Sequence, residues 1–389
     1  NTSAAGIVKL PDSATAGDIV SIKDYAGNFG TNSLTIQRNS HKIQGNTNDS
    51  TISTNRASIT LVYVDATKGW LYTNESNVAD LENKTYIDAT GGTITTSGNF
   101  KIHTFTGDGN FVVSSLGNSV GGGSWASTVD YMVVAGGASG GASSFGAGGG
   151  GGGGFREGRV SSPTYTASPL VAPAGLSVTA ATFPITIGAG GSGVGPSARG
   201  NSGANSIFST ITSAGGGAGG GTGCGPVNVG VSGGSGGGGA VSGGGALAAG
   251  SGNTPPVSPP QGNDGGNGAG DPTGGQRNGG GGGGASAAGE AGNDNSASGR
   301  GGGAGVTTCI SASPIRYSDG SGGSGGASGS GPYAGSPGGP TAGSSGFGTG
   351  GNGGANTGGA GGASGANGSV STSGNGGSGR VVLRYKYQN

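Results

Sequence analysis

Gly148 to Gly154 is an unbroken run of seven glycines, entered from the strand-like Val129-Asp-Tyr-Met-Val-Val134 and left through Phe155. Glycine loses more backbone freedom on ordering than any other residue and has no side chain to bury in return, so such a run can supply neither an α-helix nor an oily core. One regular solution remains. In the polyproline-II conformation the chain has three residues per turn and no internal hydrogen bonds, so its N–H and C=O groups point sideways. With glycine at most positions, neighbouring helices come close enough to pair those groups, and the backbone is satisfied without a β-ladder. Ala and Ser are small enough for the remaining positions, and they fill the gaps here.

The figure recurs. Phe183-Pro-Ile-Thr-Ile187 leads into Gly188-Ala-Gly-Gly191, and Ile207-Phe-Ser-Thr-Ile-Thr-Ser213 leads into Ala214-Gly-Gly-Gly217. Glycine-rich text then continues until a last strand, Arg380-Val-Val-Leu-Arg-Tyr-Lys-Tyr387. The competing reading is an unstructured Gly/Ser linker. Of 389 residues 103 are Gly and 16 Pro, a share that usually accompanies disorder, but only 9% are charged and the formal net charge is +0. Disordered chains are normally rich in charge, and the length of the tract and its closing strand also favour ordered packing. Collagen is excluded because Gly236–Gly239, Gly279–Gly284 and Ala246-Leu-Ala-Ala249 break any three-residue period.

Zero net charge without a Lys/Arg cluster argues against nucleic-acid binding, and no apolar run is long enough for membrane insertion as a helix. The first residue is Asn1 and not Met, which is compatible with a leader or a larger N-terminal part upstream. Cys224 and Cys309 allow a disulfide or two buried thiols.

Residues 1 to about 90 have ordinary composition and read as strands: Asp18–Tyr25, Leu34–Arg38, Ser58–Val64 and Trp70–Tyr72, with turn chemistry at Ala26-Gly-Asn28, Gln44-Gly-Asn46 and Asp65–Gly69. The one helical hint is Val78-Ala-Asp-Leu-Glu82. After the polar connector, Gly98–Gly107 and Gly109–Ser114 alternate, joined by Gly107-Asp-Gly109, and read as a β-hairpin.

Two sets of motifs resemble those of known proteins. Leu10-Pro11, Ala16-Gly-Asp18, Asp24-Tyr-Ala-Gly27, Asn32-Ser-Leu-Thr-Ile36, Ile43-Gln-Gly45, Ser53-Thr-Asn-Arg56 and Leu61–Trp70 resemble a β-module of tail-fibre and other virion proteins of tailed bacteriophages. His103-Thr-Phe-Thr106, Phe111-Val-Val113, Val129–Gly137 and Gly379–Tyr385 look like the strands that bracket the glycine-rich domain of phage tail-fibre adhesins. The resulting expectation is an all-β chain: a β-module over 1–75, a connector over 76–94, and a glycine-rich domain over 95–389. In that domain, opening strands within 98–134 and a closing strand over 380–387 bracket packed polyglycine-II helices, the closing strand returning beside the opening ones.

The resemblance further implies a distal tail-fibre protein in a virion, binding a host cell-surface receptor, glycan or protein, without covalent chemistry. A homotrimer alongside other virion fibre proteins goes with it. The alternative is a structural subunit of a microbial extracellular filament or adhesin. Recognition is expected where bulky residues interrupt the glycine text and must emerge as loops: Pro163–Pro173, Thr254–Pro260, Ile310–Asp319 and Gly331–Pro337. Arg316, Tyr317, Tyr333 and Phe347 are the candidate receptor-binding residues, with Tyr165 in the first loop; packing against a sheet is their competing role. No catalytic residue, metal ligand or cofactor is expected. His41 and His103 stand apart from any Cys or acidic cluster, and the many Gly-x-Gly-x-x-Gly matches open no amphipathic helix.

Overall fold

A computed structural model describes residues 4–75, 84–119, 121–160, 164–221, 228–242, 245–270, 276–293, 298–327, 330–334, 346–365 and 372–388. The chain divides into two compact units, one of Asn1–Tyr86 with Gly117–Ala126, the other of Ile87–Leu116 with Ser127–Asn389. The helical hint at Val78–Glu82 lies outside the described residues.

The first unit has two three-stranded sheets. Gly6–Lys9 runs parallel to Leu34–Gln37, which pairs with Ser50–Ile52; Ile19–Lys23, Ser58–Asp65 and Gly69–Glu75 form an antiparallel set. Period-two alternation turns Leu34, Ile36, Ile52, Ile59, Leu61 and Trp70 into one core. The turn at Asp24-Tyr-Ala-Gly27 is organised by the Asp24 carboxylate, which accepts N–H bonds from Gly27, Asn28, Phe29 and Arg56. Burial alone raises the pKa of that carboxyl, but the four donors outweigh it and leave it below the ordinary value. Gly69 is required at its turn, since it has φ +71° and a Cβ there would strike the Lys42 carbonyl.

In the second unit two sheets stack face to face. One sheet has the order Val171–Ala172, Phe155–Gly158, Thr128–Val134, Arg380–Lys386, Phe100–Phe105, Thr93–Ser97. The closing strand Arg380–Lys386 lies between the opening strands, antiparallel to both, with Val382 opposite Met132 on one side and Thr104 on the other. The second sheet runs Ile211–Ser213, Ser206–Phe208, Thr182–Thr186, Gly109–Ser115, Asp88–Thr90. Between the sheets Phe111 packs on His103 (5.1 Å), Tyr385 (6.2 Å) and Phe208 (6.2 Å).

This stacking overturns the expected hairpin. Phe100–Phe105 and Gly109–Ser115 do not pair with each other; the chain crosses at 106–108 from one sheet to the other. The crossing is held by Asp108, whose carboxylate accepts the Ile187 N–H at 2.7 Å. Burying Phe111 between two sheets gains apolar contact that an isolated hairpin cannot offer. Likewise Ile207–Ser213 is not one strand but two short ones, reversing at Ser209 with φ +53°.

From Ala135 onward the chain builds an array of extended glycine helices outside the sheets. The run Gly148–Gly154 is its centre, and its hydrogen bonds repeat every three residues. N–H groups of Gly148, Gly151 and Gly154 donate to Gly220, Gly217 and Ala214; those of Gly149 and Gly152 donate to Gly280 and Gly283. Its carbonyls in turn accept Gly141, Ala138 and Ala135 at positions 148, 151 and 154, then Gly238 and Ser235 at 149 and 152, then Ser321 at 150. The segment is therefore a three-residue-per-turn helix bonded to neighbours on all sides, and the unit is all-β with a domain of packed polyglycine-II helices. A Cβ on any glycine from Gly148 to Gly153 would run into a neighbour's backbone carbonyl, so the close approach demands glycine.

Candidate recognition surface

The array has two ends, fixed by the antiparallel pair that starts it. Ala135–Gly141 leaves the opening strand and Gly148–Gly154 returns to Phe155, with Ala135 against Gly154 and Gly141 against Gly148. The turn at 142–147 thus lies at the end remote from the sheets. Seven residues at about 3.1 Å each put the ends roughly 20 Å apart.

At the sheet end, the face of the first sheet opposite Phe111, which carries Met132, Val134, Phe155 and Val382, is covered by Val306, Ile310 and Tyr317. Both faces being buried, the central strands read as near-continuous apolar runs, and the charges within them are buried too. Asp130 and Arg384 stand directly opposite each other across the ladder. Asp130 Oδ1 accepts the Val160 N–H at 2.7 Å, while burial pushes its pKa up to about 7 against the lowering pull of that bond and of Arg384. Glu157 accepts Thr308 Oγ1 at 2.6 Å and the Ser168 N–H at 2.9 Å, and Arg384 donates to Ile310 O at 3.3 Å. These bonds pin the 164–170 segment and the Val306–Tyr317 hairpin onto the sheet.

Tyr317, expected to be a contact aromatic, is therefore core. It has no exposed surface, packs on Phe155 at 6.3 Å, and accepts Arg380 Nη1 on its hydroxyl at 3.2 Å. Its hairpin turns inward because the second face of the sheet needs an apolar cover. Burial raises the Tyr317 phenol above its ordinary pKa. Arg316 on the next position is half-buried and committed to Asp319, with Nε 2.8 Å from Oδ1 and 3.0 Å from Oδ2. Asp319 is itself buried and accepts the Gly305 N–H at 2.6 Å. Tyr165 is partly buried, with the Arg159 and Arg384 guanidinium groups over its ring; Pro163, at the start of its expected loop, lies outside the described residues.

Nor do the expected loops converge. Thr254–Pro260 is an exposed loop at the sheet end, tied by Asn253 to Val257 and by the Gln261 carbonyl to Phe155 N–H. The exposed tip of 310–319, at Ala312–Pro314, shares that end. Tyr333 and Phe347 belong to the far end: Tyr333 pairs with Gly325 beside Ser324, which bonds Ala147, and Phe347 pairs with Gly365 in a sheet that includes Ala142–Ser143. For these two aromatics only the strand backbone is described, and positions 335–337 of the expected loop lie outside the described residues.

The remote end presents a feature that reading the sequence missed. Phe145 stands 42% exposed on the 142–147 turn, which Ser143 Oγ braces by accepting the Phe145 and Gly146 N–H groups. The Arg277 guanidinium sits 4.4 Å from the Phe145 ring centroid, bringing together residues 132 positions apart (277 − 145). One signal was available: Phe145 and Arg277 each interrupt small-residue text two or three positions before a glycine run.

Among the described residues no group of three or more His, Cys, Asp or Glu is placed to hold a metal, and no helix is long and apolar enough to cross a membrane. Cys309 is half-buried and free among the described residues; Cys224 lies outside them. No curated protein matches the chain. The family model for a glycine-rich domain matches residues 114–386, from the end of the Gly109–Ser115 strand through the array to the strand that closes it. That match spans well over half of the sequence, and the chain belongs to the glycine-rich domain family.

Proposed function

We propose that this chain is a receptor-binding protein of a bacteriophage tail fibre, acting by non-covalent recognition of a host cell-surface glycan or protein through the remote end of its glycine array. The observation that carries the reading is the exposed Phe145 ring, on a turn that the array holds away from the sheets, with the half-buried Arg277 guanidinium beside it. A stiff support returns the chain repeatedly to one end, and loops on a rigid scaffold are where binding specificity resides. An exposed aromatic ring beside a cation offers an apolar face for stacking and donors for polar groups. The resemblance of 1–75 to fibre modules supplies the virion context and a homotrimer, in which several copies of a weak site gain strength by avidity.

The test is cell binding by purified protein. Phe145→Ala and Arg277→Ser are expected to reduce host adsorption by about tenfold or more with the fold intact, whereas Gly/Ser replacement of 254–260 leaves it unchanged. Unchanged adsorption by both single variants would place recognition elsewhere or remove the adhesin reading altogether.

A further inference from the structure

Inside the array most N–H groups meet the carbonyl of a neighbouring helix, as those of Gly148, Gly149 and Gly151–Gly154 do; at exposed margins side-chain oxygens take that place. Segment 247–253 shows the difference. Leu247, Gly250 and Asn253 donate inward to Ala240, Gly237 and Gly234 at 2.8–2.9 Å. Ala249 and Gly252, also one three-residue repeat apart, face a side on which no further helix stands among the described residues. Their N–H groups are met by side chains: Asn267 Oδ1 at 2.9 Å and Asp264 Oδ1 at 2.7 Å. Asp264 and Asn267 are themselves three residues apart, so both project from one side of the adjacent helix, whose Gly265 and Gly268 N–H groups bond Gly250 O and Leu247 O. The device recurs on other margins, where Glu290 Oε2 accepts Gly301 N–H at 3.0 Å. Asn375 Oδ1 accepts Gly193 N–H at 2.7 Å, and Asn352 Oδ1 accepts Asn375 N–H at 2.9 Å.

We infer that these side-chain oxygens are edge caps that end the array within one chain by occupying the N–H groups on which a glycine-rich segment of a second copy would dock. Donors one repeat apart ask for carbonyls about 9 Å apart, the spacing of a three-residue turn at about 3.1 Å per residue. A β-strand offers same-side carbonyls at about 7 Å and fits less well. The array of another copy has the matching spacing, so it is the partner the caps exclude. The logic is that of protected edge strands in β-sheets, where an open row of backbone donors invites intermolecular pairing. Any oligomer of the wild-type chain then forms through other surfaces, and filament growth by addition to this margin is blocked.

Hydrogen exchange and light scattering test this on the full chain. In wild type the Ala249 and Gly252 amides are expected to be protected despite their position at the margin. In Asp264→Ala/Asn267→Ala they exchange about tenfold faster in dilute solution, as loss of a hydrogen bond implies, and the mass rises with concentration above that of wild type. The exchanged pair Asp264→Asn/Asn267→Asp keeps both oxygens and keeps the wild-type mass. Wild-type amides that exchange as freely as loop amides, or an alanine variant at the wild-type mass at every concentration, would overturn the inference. Should the alanine variant not fold, the wild-type exchange and the mass of the exchanged pair decide it, association of the latter counting against the caps.

Discussion

Gly150 sits in the middle of the seven-glycine run, and adding one methyl there probes what holds the array together. A Cβ on Gly150 would lie 2.6 Å from Ala138 O and 2.8 Å from Ser139 O. Ordinary contact needs about 3.4 Å, so the 135–141 helix must retreat by about 0.8 Å. That helix is bonded to the run through Ala135, Ala138 and Gly141, each N–H donating at 3.0 Å. The retreat would stretch all three to about 3.8 Å, outside hydrogen-bonding range. At about 1 kcal/mol net for each bond the loss is about 3 kcal/mol. Alanine's stiffer unfolded chain returns about 0.5–1 kcal/mol, leaving Gly150→Ala destabilised by about 2 kcal/mol. Moving the run the other way gives no relief, because Ala214–Gly220, Gly279–Gly284 and Ser235–Gly238 are bonded there. Gly150→Val, with two more carbons to place, should lose about 4 kcal/mol or more. Gly195 is the control: it has open space around an added Cβ and no positive φ, so Gly195→Ala should be neutral or slightly stabilising. Urea denaturation of the three variants measures all of this. If Gly150→Ala unfolds at the same midpoint as Gly195→Ala, the array is not held by close backbone pairing and the argument fails.

Three further outcomes are expected. His103 is buried, with Nδ1 2.7 Å from Gly91 O and Nε2 3.0 Å from Tyr385 Oη, and burial is the main cause of a pKa below the ordinary 6.5. A depressed folded-state value means its stabilising share is complete above pH 6.5 and is lost as pH falls through the folded value, so His103→Gln should flatten the acid limb of Tm against pH. Asp130 has the opposite sign: raised from 3.8 to about 7, it favours the fold most below pH 3.8, and that share declines until about pH 7, by up to about 4 kcal/mol. Asp130→Asn keeps an acceptor for Val160 N–H and should abolish the decline; an unchanged urea midpoint-against-pH curve would contradict the burial assignment. Intact protein should have a trimer mass by light scattering, and a monomer mass would remove the trimer from the proposed function.

What the sequence made legible follows from how local each cause is. The glycine run declares its own conformation, because a three-residue repeat of bonding directions needs only that no side chain intervene at Gly148–Gly154. The closing strand was legible for a related reason: Val381-Val-Leu383 is apolar without alternation, as a strand covered on both faces must be. The crossing at 106–108 was not, since Gly107-Asp-Gly109 is turn chemistry whichever sheet the next strand joins. Only the distant Phe183 and Phe208, supplied by the second sheet, decide that Phe111 stacks and does not hairpin.

Where the candidate residues fall in the array turns on the same distinction between local and distant causes. An interruption of the glycine text does mark a turn, and 142–147, 254–260 and 312–314 are all exposed at least in part. Which end of the array a turn occupies depends on a count of passes through it, and that count is invisible in any single interruption. Ile310–Asp319 and the described part of the next loop, 331–334, are neighbours in sequence, yet Ser318–Ser324 runs the length of the array between them: Ala285 donates to Ser318 O and Ser324 donates to Ala147 O at the other end. One pass separates them by roughly 20 Å. An even number of passes restores proximity, which is how the 142–147 turn meets Arg277 across more than a hundred residues. A sequence rule for this fold therefore has to alternate. Successive interruptions about seven residues apart, one pass at about 3.1 Å per residue, belong to opposite ends. At the end joined to the strands Tyr317 is buried, while Phe145 at the other end stays exposed.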